Sequence, residues 1–168
     1  MPEIDDMIPT KWFVRPEEAC DAADIETLQA DAFGPGRFTR TAFQMREGVP
    51  HCPKLSFVGL SGRELAGSVR MTRIRIGKTP AMLLGPLTVA PAYKNQGLGR
   101  TLLQTTLDAA RRCGETAVLL VGDPPYYGPF GFDPVPFGRI TLPGPVDPKR
   151  LLIATLNGGD MPSGAASA

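Results

Sequence analysis

The sequence predicts an α+β fold: a mixed, mostly antiparallel sheet whose early strands form a hairpin and whose later strands are joined by a helical crossover. Three observations carry this. Leu55 to Leu60 and Leu65 to Ile76 are apolar-rich runs joined by the tight turn Ser61-Gly62-Arg63, which reads as a hairpin. Gly97 to Cys113 places Leu98, Leu102, Leu103, Leu107 and Ala110 at helical spacing, with Gly114 as its stop. Ala81 to Val89 before that helix and Ala117 to Val121 after it read as strands, so the helix serves as a parallel-type crossover.

The remaining elements follow in order. Trp12 to Arg15 is a short strand, and Ala19 to Phe33 a helix whose Ile25, Leu28 and Ala32 make an apolar stripe. Gly34-Pro35-Gly36 breaks it, and Arg37 to Glu47 suits a second short helix. In the long return strand Val69 and Met71 share one face while Ile74 and Ile76 have the opposite parity. That implies a bulge near Thr72 and Arg73, or a change in which face is covered. Leu151 to Leu156 is the last expected strand. A single domain over residues 11–156 is expected, with a flexible leader at 1–10 and a disordered Gly/Ser/Ala tail at 157–168.

Composition limits the chemistry. Glycine and proline number 19 and 18 in 168 residues, well above ordinary usage, yet 42% of the chain is apolar and 21% charged, enough for a core. The net charge of +1 gives no support to a nucleic-acid partner. The one histidine, His51, cannot build a histidine cage, and reads as a loop residue rather than a catalyst. Cys20, Cys52 and Cys113 are scattered, so no metal site is expected and reduced thiols of a cytoplasmic protein are. Met1-Pro-Glu-Ile-Asp-Asp is not a secretory signal, and no apolar run is long enough to cross a bilayer, so no membrane partner is expected.

The chemistry concentrates between Leu83 and Leu103. Pro86 has no N–H for a ladder, so a strand carrying Gly85-Pro86 is an edge or bulged there. Residues beyond it then have peptide groups without a strand partner, and a ligand with amides of its own, such as a pantetheine arm, can pair with Leu87 and Val89 as an added strand. Lys94-Asn95-Gln96-Gly97-Leu98-Gly99-Arg100 follows. Its two glycines permit close backbone approach, the next helix aims free N–H groups at the same place, and Lys94 and Arg100 add charge, all suited to phosphate. A Walker A loop is absent, and a dinucleotide fingerprint would need glycine where Leu102 stands.

Lys94-Asn-Gln-Gly97-Leu-Gly99, after a strand ending in Val89-Ala-Pro and before a long helix, resembles the acetyl-coenzyme A signature of the GNAT N-acetyltransferase superfamily, Gln/Arg-x-x-Gly-x-Gly/Ala. Lys94 departs from it, keeping a cation but losing the guanidinium fork. Tyr126-Tyr127-Gly-Pro-Phe-Gly131-Phe132 resembles the family's downstream Tyr-x-x-x-Gly-Phe element. Gly122-Asp-Pro-Pro-Tyr-Tyr and Leu84-Gly-Pro-Leu look like a bacterial subgroup of N-acetyltransferases with mostly undefined substrates.

The resemblance implies a single GNAT-like domain of six to seven strands, splayed between the fourth and fifth, with about four helices. It implies acetyl-coenzyme A as co-substrate, transfer to a primary amine by direct attack in a ternary complex, and a coenzyme site at Leu87, Thr88, Val89, Lys94, Asn95, Gln96, Gly97, Leu98, Gly99, Arg100 and Thr101. Tyr127 takes the place of the general acid, with Tyr126 packing beside it, and a backbone N–H near Leu87 is placed to polarise the thioester. The fourth strand carries no carboxylate, so Asp123, a water chain or an amine that arrives neutral must serve as base. Arg37 and Phe38, with the loops at 134–148, are the expected acceptor contacts; Arg37 and Arg40 either read an acidic group on the acceptor or are surface charges. The acceptor is a small-molecule or peptide amine, and the protein a monomer or homodimer. A non-catalytic acyl-coenzyme A sensor on the same scaffold, and a generic nucleotide-binding domain, are the competing readings.

Overall fold

The computed structural model describes residues 12–168, so the expected leader lies outside the described residues. Seven strands form the main sheet in the order β1 (Phe13–Pro16), β2 (Phe57–Ser61), β3 (Glu64–Ile76), β4 (Thr79–Val89), β5 (Ala117–Val121), β8 (Leu151–Thr155) and β6 (Asp133–Pro134). All neighbours are antiparallel except β4 and β5, which are parallel. Two short strands, β7 (Ile140–Thr141) and β9 (Gly164–Ser167), attach through the far end of β3. The helices are α1 (Ala22–Phe33), α2 (Thr41–Arg46), α3 (Leu98–Arg112) and the single turn α4 (Pro124–Tyr127).

Both faces of the sheet are covered, which explains the parity of β3. Val69 and Met71 enter a core with Met82, Leu84, Val118, Leu120 and the α3 residues Leu98, Leu102, Leu103 and Leu107. Ile74 and Ile76 enter a second core on the other face, with Ala81, Leu83, Leu119, Ile153 and Met45 of α2. The backbone stays regular at Thr72 and Arg73, so the alternative of a change in covered face holds and no bulge lies there. The irregularity sits two residues earlier: Val69 opposes Leu87 and Met71 opposes Leu84, so β4 advances three residues while β3 advances two. The extra residue falls at Gly85-Pro86.

The helix α3 is seated by burying its leucines, each contributing about 1.5–3 kcal/mol. A Cβ at Gly59 would lie 2.7 Å from Leu98 Cδ1, and one at Gly67 3.0 Å from Leu98 Cδ2, so these two glycines let the first turn of α3 press onto the hairpin.

The tail does not fray as expected. Its strand β9 pairs Ala166 with Ile76 and Ser167 with Arg75, and Ala166 is buried. Asn157, at φ +54°, donates its side-chain amide to Arg111 O and Glu115 O, anchoring the turn that starts the segment. Glycine is needed where the two backbones meet, since a Cβ on Gly77 would lie 2.6 Å from Ser163 O and one on Gly164 2.9 Å from Gly77 Cα. The last strand is therefore β9, and β8 is an interior strand between β5 and β6.

Candidate active site

The strands β4 and β5 pair only at Met82–Val118 and Leu83–Leu119. Beyond them the two part, and the opening is lined from both sides. Ala90 N–H bonds to Ala66 O at 2.8 Å, so by strand alternation Thr88 also turns its peptide groups to β3. The peptide groups of Leu87 and Val89 face the side from which β5 has departed.

Three cavities open here. The central one, about 640 Å³, is bounded by Gly85, Pro86 and Leu87 of β4, by Leu120 to Asp123, by Tyr126 and Tyr127, and by α2 and the 145–150 loop. A groove of about 460 Å³ lies at the start of α3, lined by Val89, Tyr93, Lys94, Asn95, Gly97, Leu98, Gly99, Arg100 and Tyr126. A side cavity of about 200 Å³ lies under α1 and α2 and shares Phe43, Arg46 and Pro86 with the central one. Tyr126 borders both the central cavity and the groove.

The groove is a helix terminus. Asn95 and Gly97 take left-handed backbone, φ +61° and +93°, a conformation that asparagine and glycine tolerate best. The first helical bond runs from Thr101 N–H to Gly97 O at 3.1 Å, so the N–H groups of Leu98, Gly99 and Arg100 precede it. A Cβ on Gly97 would stand in open space, whereas one on Gly99 would lie 2.6 Å from the Tyr126 hydroxyl. This cradle of N–H groups between Lys94 and Arg100 fits a diphosphate.

Not every expected contact reaches the groove. Thr88 is buried on the opposite face, where it opposes Ser68, and both hydroxyls lack a hydrogen-bond partner. Gln96 donates its amide to Ala92 O, and Thr101 gives both its N–H and its hydroxyl to Gly97 O. The Leu98 side chain belongs to the core, leaving only its N–H to the groove.

Tyr127 stands at the mouth of the parted strands. Its ring packs edge-on to Phe132, 6.0 Å between centroids, and to Tyr126 at 4.9 Å. A Cβ on Gly122 would run into the Tyr127 ring, so glycine there is what admits the phenol. Burial, with Tyr126 and Asp123 adding to it, pushes the Tyr127 hydroxyl up to about 12, and the phenol keeps its proton at neutral pH. The hydroxyl has no hydrogen-bond partner among the described residues, unlike a phenol that only packs. Asp123 lines the central cavity too, but its side chain is 75% exposed and sits 3.3 Å from Arg150 Nε.

The expected acceptor contacts lie elsewhere. Arg37 is buried under the 34–39 turn, donating to Gly34 O at 2.7 Å and to Glu26 Oε1 at 2.8 Å, and its guanidinium stacks on Phe38 at 4.1 Å. Both residues line the side cavity and not the central one, because the pairing with Glu26 turns Arg37 back toward α1.

Two arrangements carried no signal in the sequence. Buried Glu17 accepts from Arg70 Nε and Nη2, each at 2.9 Å, and lies 3.1 Å from His51 Nε2; Arg70 and His51 line the side cavity. Burial holds the His51 imidazole below its ordinary value, outweighing the Glu17 charge, with Arg70 adding to the burial. The second is Arg46, the final residue of α2, which borders both the central and side cavities. Arg40, just before α2, and Phe43 within it also face the central cavity.

Residues 22–128 match the family model of the acetyltransferase (GNAT) family, and the chain belongs to that family. It is 30% identical over 118 residues to an uncharacterized N-acetyltransferase of Escherichia coli, YjhQ, a match spanning 68% of this chain and 65% of that protein. It is 42% identical over 50 residues to a second, YhbS, about 30% of each chain. The crystal structure of E. coli YhbS in complex with coenzyme A superposes with a TM-score of 0.77 at 24% identity, over 95% of this chain and 91% of that one. A Brucella melitensis acetyltransferase in complex with acetyl-coenzyme A gives 0.71 at 24% identity, over 94% and 95%. The splayed sheet is thus the family's fold, and among the described residues no helix is long and apolar enough to cross a membrane.

Proposed function

We propose that the protein is an acetyl-coenzyme A-dependent N-acetyltransferase acting by direct attack of a primary amine in a ternary complex. The observation that supports this best is one continuous path. The N-terminal cradle of α3, the turned-out peptide groups of Leu87 and Val89, and the protonated Tyr127 phenol follow one another along the parted strands. That one structurally similar protein binds coenzyme A and another acetyl-coenzyme A supports the same reading.

In this reading Lys94, Asn95, Gly97, Gly99 and Arg100, with the N–H groups of the first α3 turn, hold the diphosphate. Leu87 and Val89 pair with the amides of the pantetheine arm, and a backbone N–H near Leu87 polarises the thioester carbonyl. The coenzyme supplies the acetyl thioester. The amine nitrogen forms the new bond to the acetyl carbon as the carbon–sulfur bond breaks. The sulfur takes a proton from the Tyr127 hydroxyl, and the amine gives one up to Asp123 or to a chain of water. A phenol that stays protonated is suited to the first transfer.

The test is thermal unfolding with acetyl-coenzyme A, ATP and NAD. Acetyl-coenzyme A at ~100 times its Kd is expected to stabilise by roughly 2.7 kcal/mol, and the nucleotides to leave the transition in place. A shift with NAD and none with acetyl-coenzyme A would overturn the proposal. Binding without thiol release in the presence of any amine would instead favour the acyl-coenzyme A sensor.

A further inference from the structure

We propose that Arg46 is the specificity determinant of the acceptor site and that the acceptor is a small amine carrying an anionic group, a carboxylate or a phosphate. The inference rests on the acetyl-transfer reading and names its substrate class. Among the described residues four arginines are withdrawn from full exposure: Arg15, Arg37, Arg46 and Arg70. Three of them are held by a carboxylate, Arg15 by Asp21, Arg37 by Glu26 and Arg70 by Glu17. Arg46 is paired with none.

Its position is defined. Met45, the preceding residue, is locked into the core under β3 and β4, which fixes the end of α2 against the sheet. The guanidinium lies over the Phe43 ring at 4.7 Å from its centroid, and its Nη1 is 3.3 Å from where a Cβ on Gly85 would be. Gly85 is the residue at which β4 departs from β5, so the charge stands where the central cavity begins. Arg70, a like charge, is the charged group that acts on it, and burial with Arg70 brings the guanidinium down to about 10, which leaves it protonated at neutral pH.

The acidic groups nearby are otherwise engaged or turned away. Asp123 faces Arg150, Asp147 accepts from Lys149 N–H, Glu17 is taken by Arg70 and His51, and Glu26 by Arg37. Glu47 borders the side cavity beside Arg46 but is exposed and makes no ion pair with it. A partly buried cation without a partner is costly, and an anion from a ligand offsets that cost. The planar guanidinium matches two oxygens of a carboxylate or phosphate at once. A cavity of about 640 Å³ has the size of a small-molecule site.

Two measurements test this on the full chain. In a thiol-release assay with acetyl-coenzyme A, matched amines are compared: amino acids against their carboxamides, and aminoalkyl phosphates against the corresponding amino alcohols. The anionic member of at least one pair is expected to have a kcat/KM at least ~10-fold higher, and which pair shows it separates carboxylate from phosphate. Arg46→Met should abolish the preference and Arg46→Lys restore part of it, with the KM for acetyl-coenzyme A unchanged. Equal use of both members, or a preference that survives in Arg46→Met, overturns the proposal. Independently of turnover, arginine side-chain NMR follows titration with inorganic phosphate and acetate. The signal missing in Arg46→Met should move saturably while those of Arg15, Arg37 and Arg70 stay, and a stationary Arg46 signal overturns the anion site. If no amine is acetylated yet the Arg46 signal moves, it is the acetyl-transfer reading that has failed.

Discussion

Six residues of the stretch Lys94 to Arg100, all but Gln96, supply most of the lining of the groove at the start of α3, and what they offer is chiefly backbone. The central cavity a few residues away draws on side chains from Phe33, Thr41, Arg46, Leu87, Tyr127 and Asp147, brought together by helices, strands and a loop from across the chain. A contiguous, backbone-made site tolerates a change of side chain and fails when φ is disturbed. A site assembled from distant segments does the reverse: it answers to individual side chains and to whatever positions them.

The sharpest test of that contrast is Tyr127→Phe, on the assembled side. Loss of one hydroxyl is expected to lower kcat about 10²–10³-fold while the KM for acetyl-coenzyme A hardly changes, read by steady-state kinetics. Gly122→Ala leaves the hydroxyl in place but drives a methyl into the Tyr127 ring, so it should lose much of the same kcat. Full activity in Gly122→Ala would show that the position of the ring is not what matters.

Met82→Ala probes the sealed end of the sheet, where β4 and β5 are still paired and Met82 is fully buried. It should cost about 2–5 kcal/mol in denaturant unfolding and leave kcat nearly unaltered in the folded protein. On the backbone-made side, Gly97→Ala forces a side chain into φ +93° and is expected to weaken acetyl-coenzyme A binding about tenfold at constant kcat, whereas Asn95→Gly, also at positive φ, should be nearly silent. A large kcat loss in Gly97→Ala would blur the division.

The smallest effect concerns His51 and Glu17. Because burial lowers the imidazole below its unfolded value of about 6.5, the native state binds fewer protons than the unfolded one below that pH. Stability is therefore complete above about 6.5 and declines as the pH falls toward the lowered native value. Thermal unfolding between pH 7.5 and 5.5 should show a decline that His51→Gln reduces.

The same contrast governs what could be read from the chain. The groove was legible because its glycines, cations and helix start are neighbours in sequence, and so was the parting of the sheet, since Pro86 announces a broken ladder. Arg37 and Arg46 were not distinguishable there: both lie in one short helical stretch, and only the Glu26 carboxylate, eleven residues upstream of Arg37, decides which of them is withdrawn from the central cavity. The tail misled for a related reason. Gly, Ser and Ala suggest fraying in isolation, but the segment pairs with β3, and Gly164 is what its close approach to Gly77 requires.

The extra residue at Gly85-Pro86 has a consequence for how the strand tolerates a change of length. Leu84 and Leu87 already face the same core although three positions apart, so removing one residue between them would return them to ordinary two-residue spacing without turning either over. A single-codon deletion there would thus remove the register shift between β3 and β4 while leaving the apolar pattern of β4 as it is.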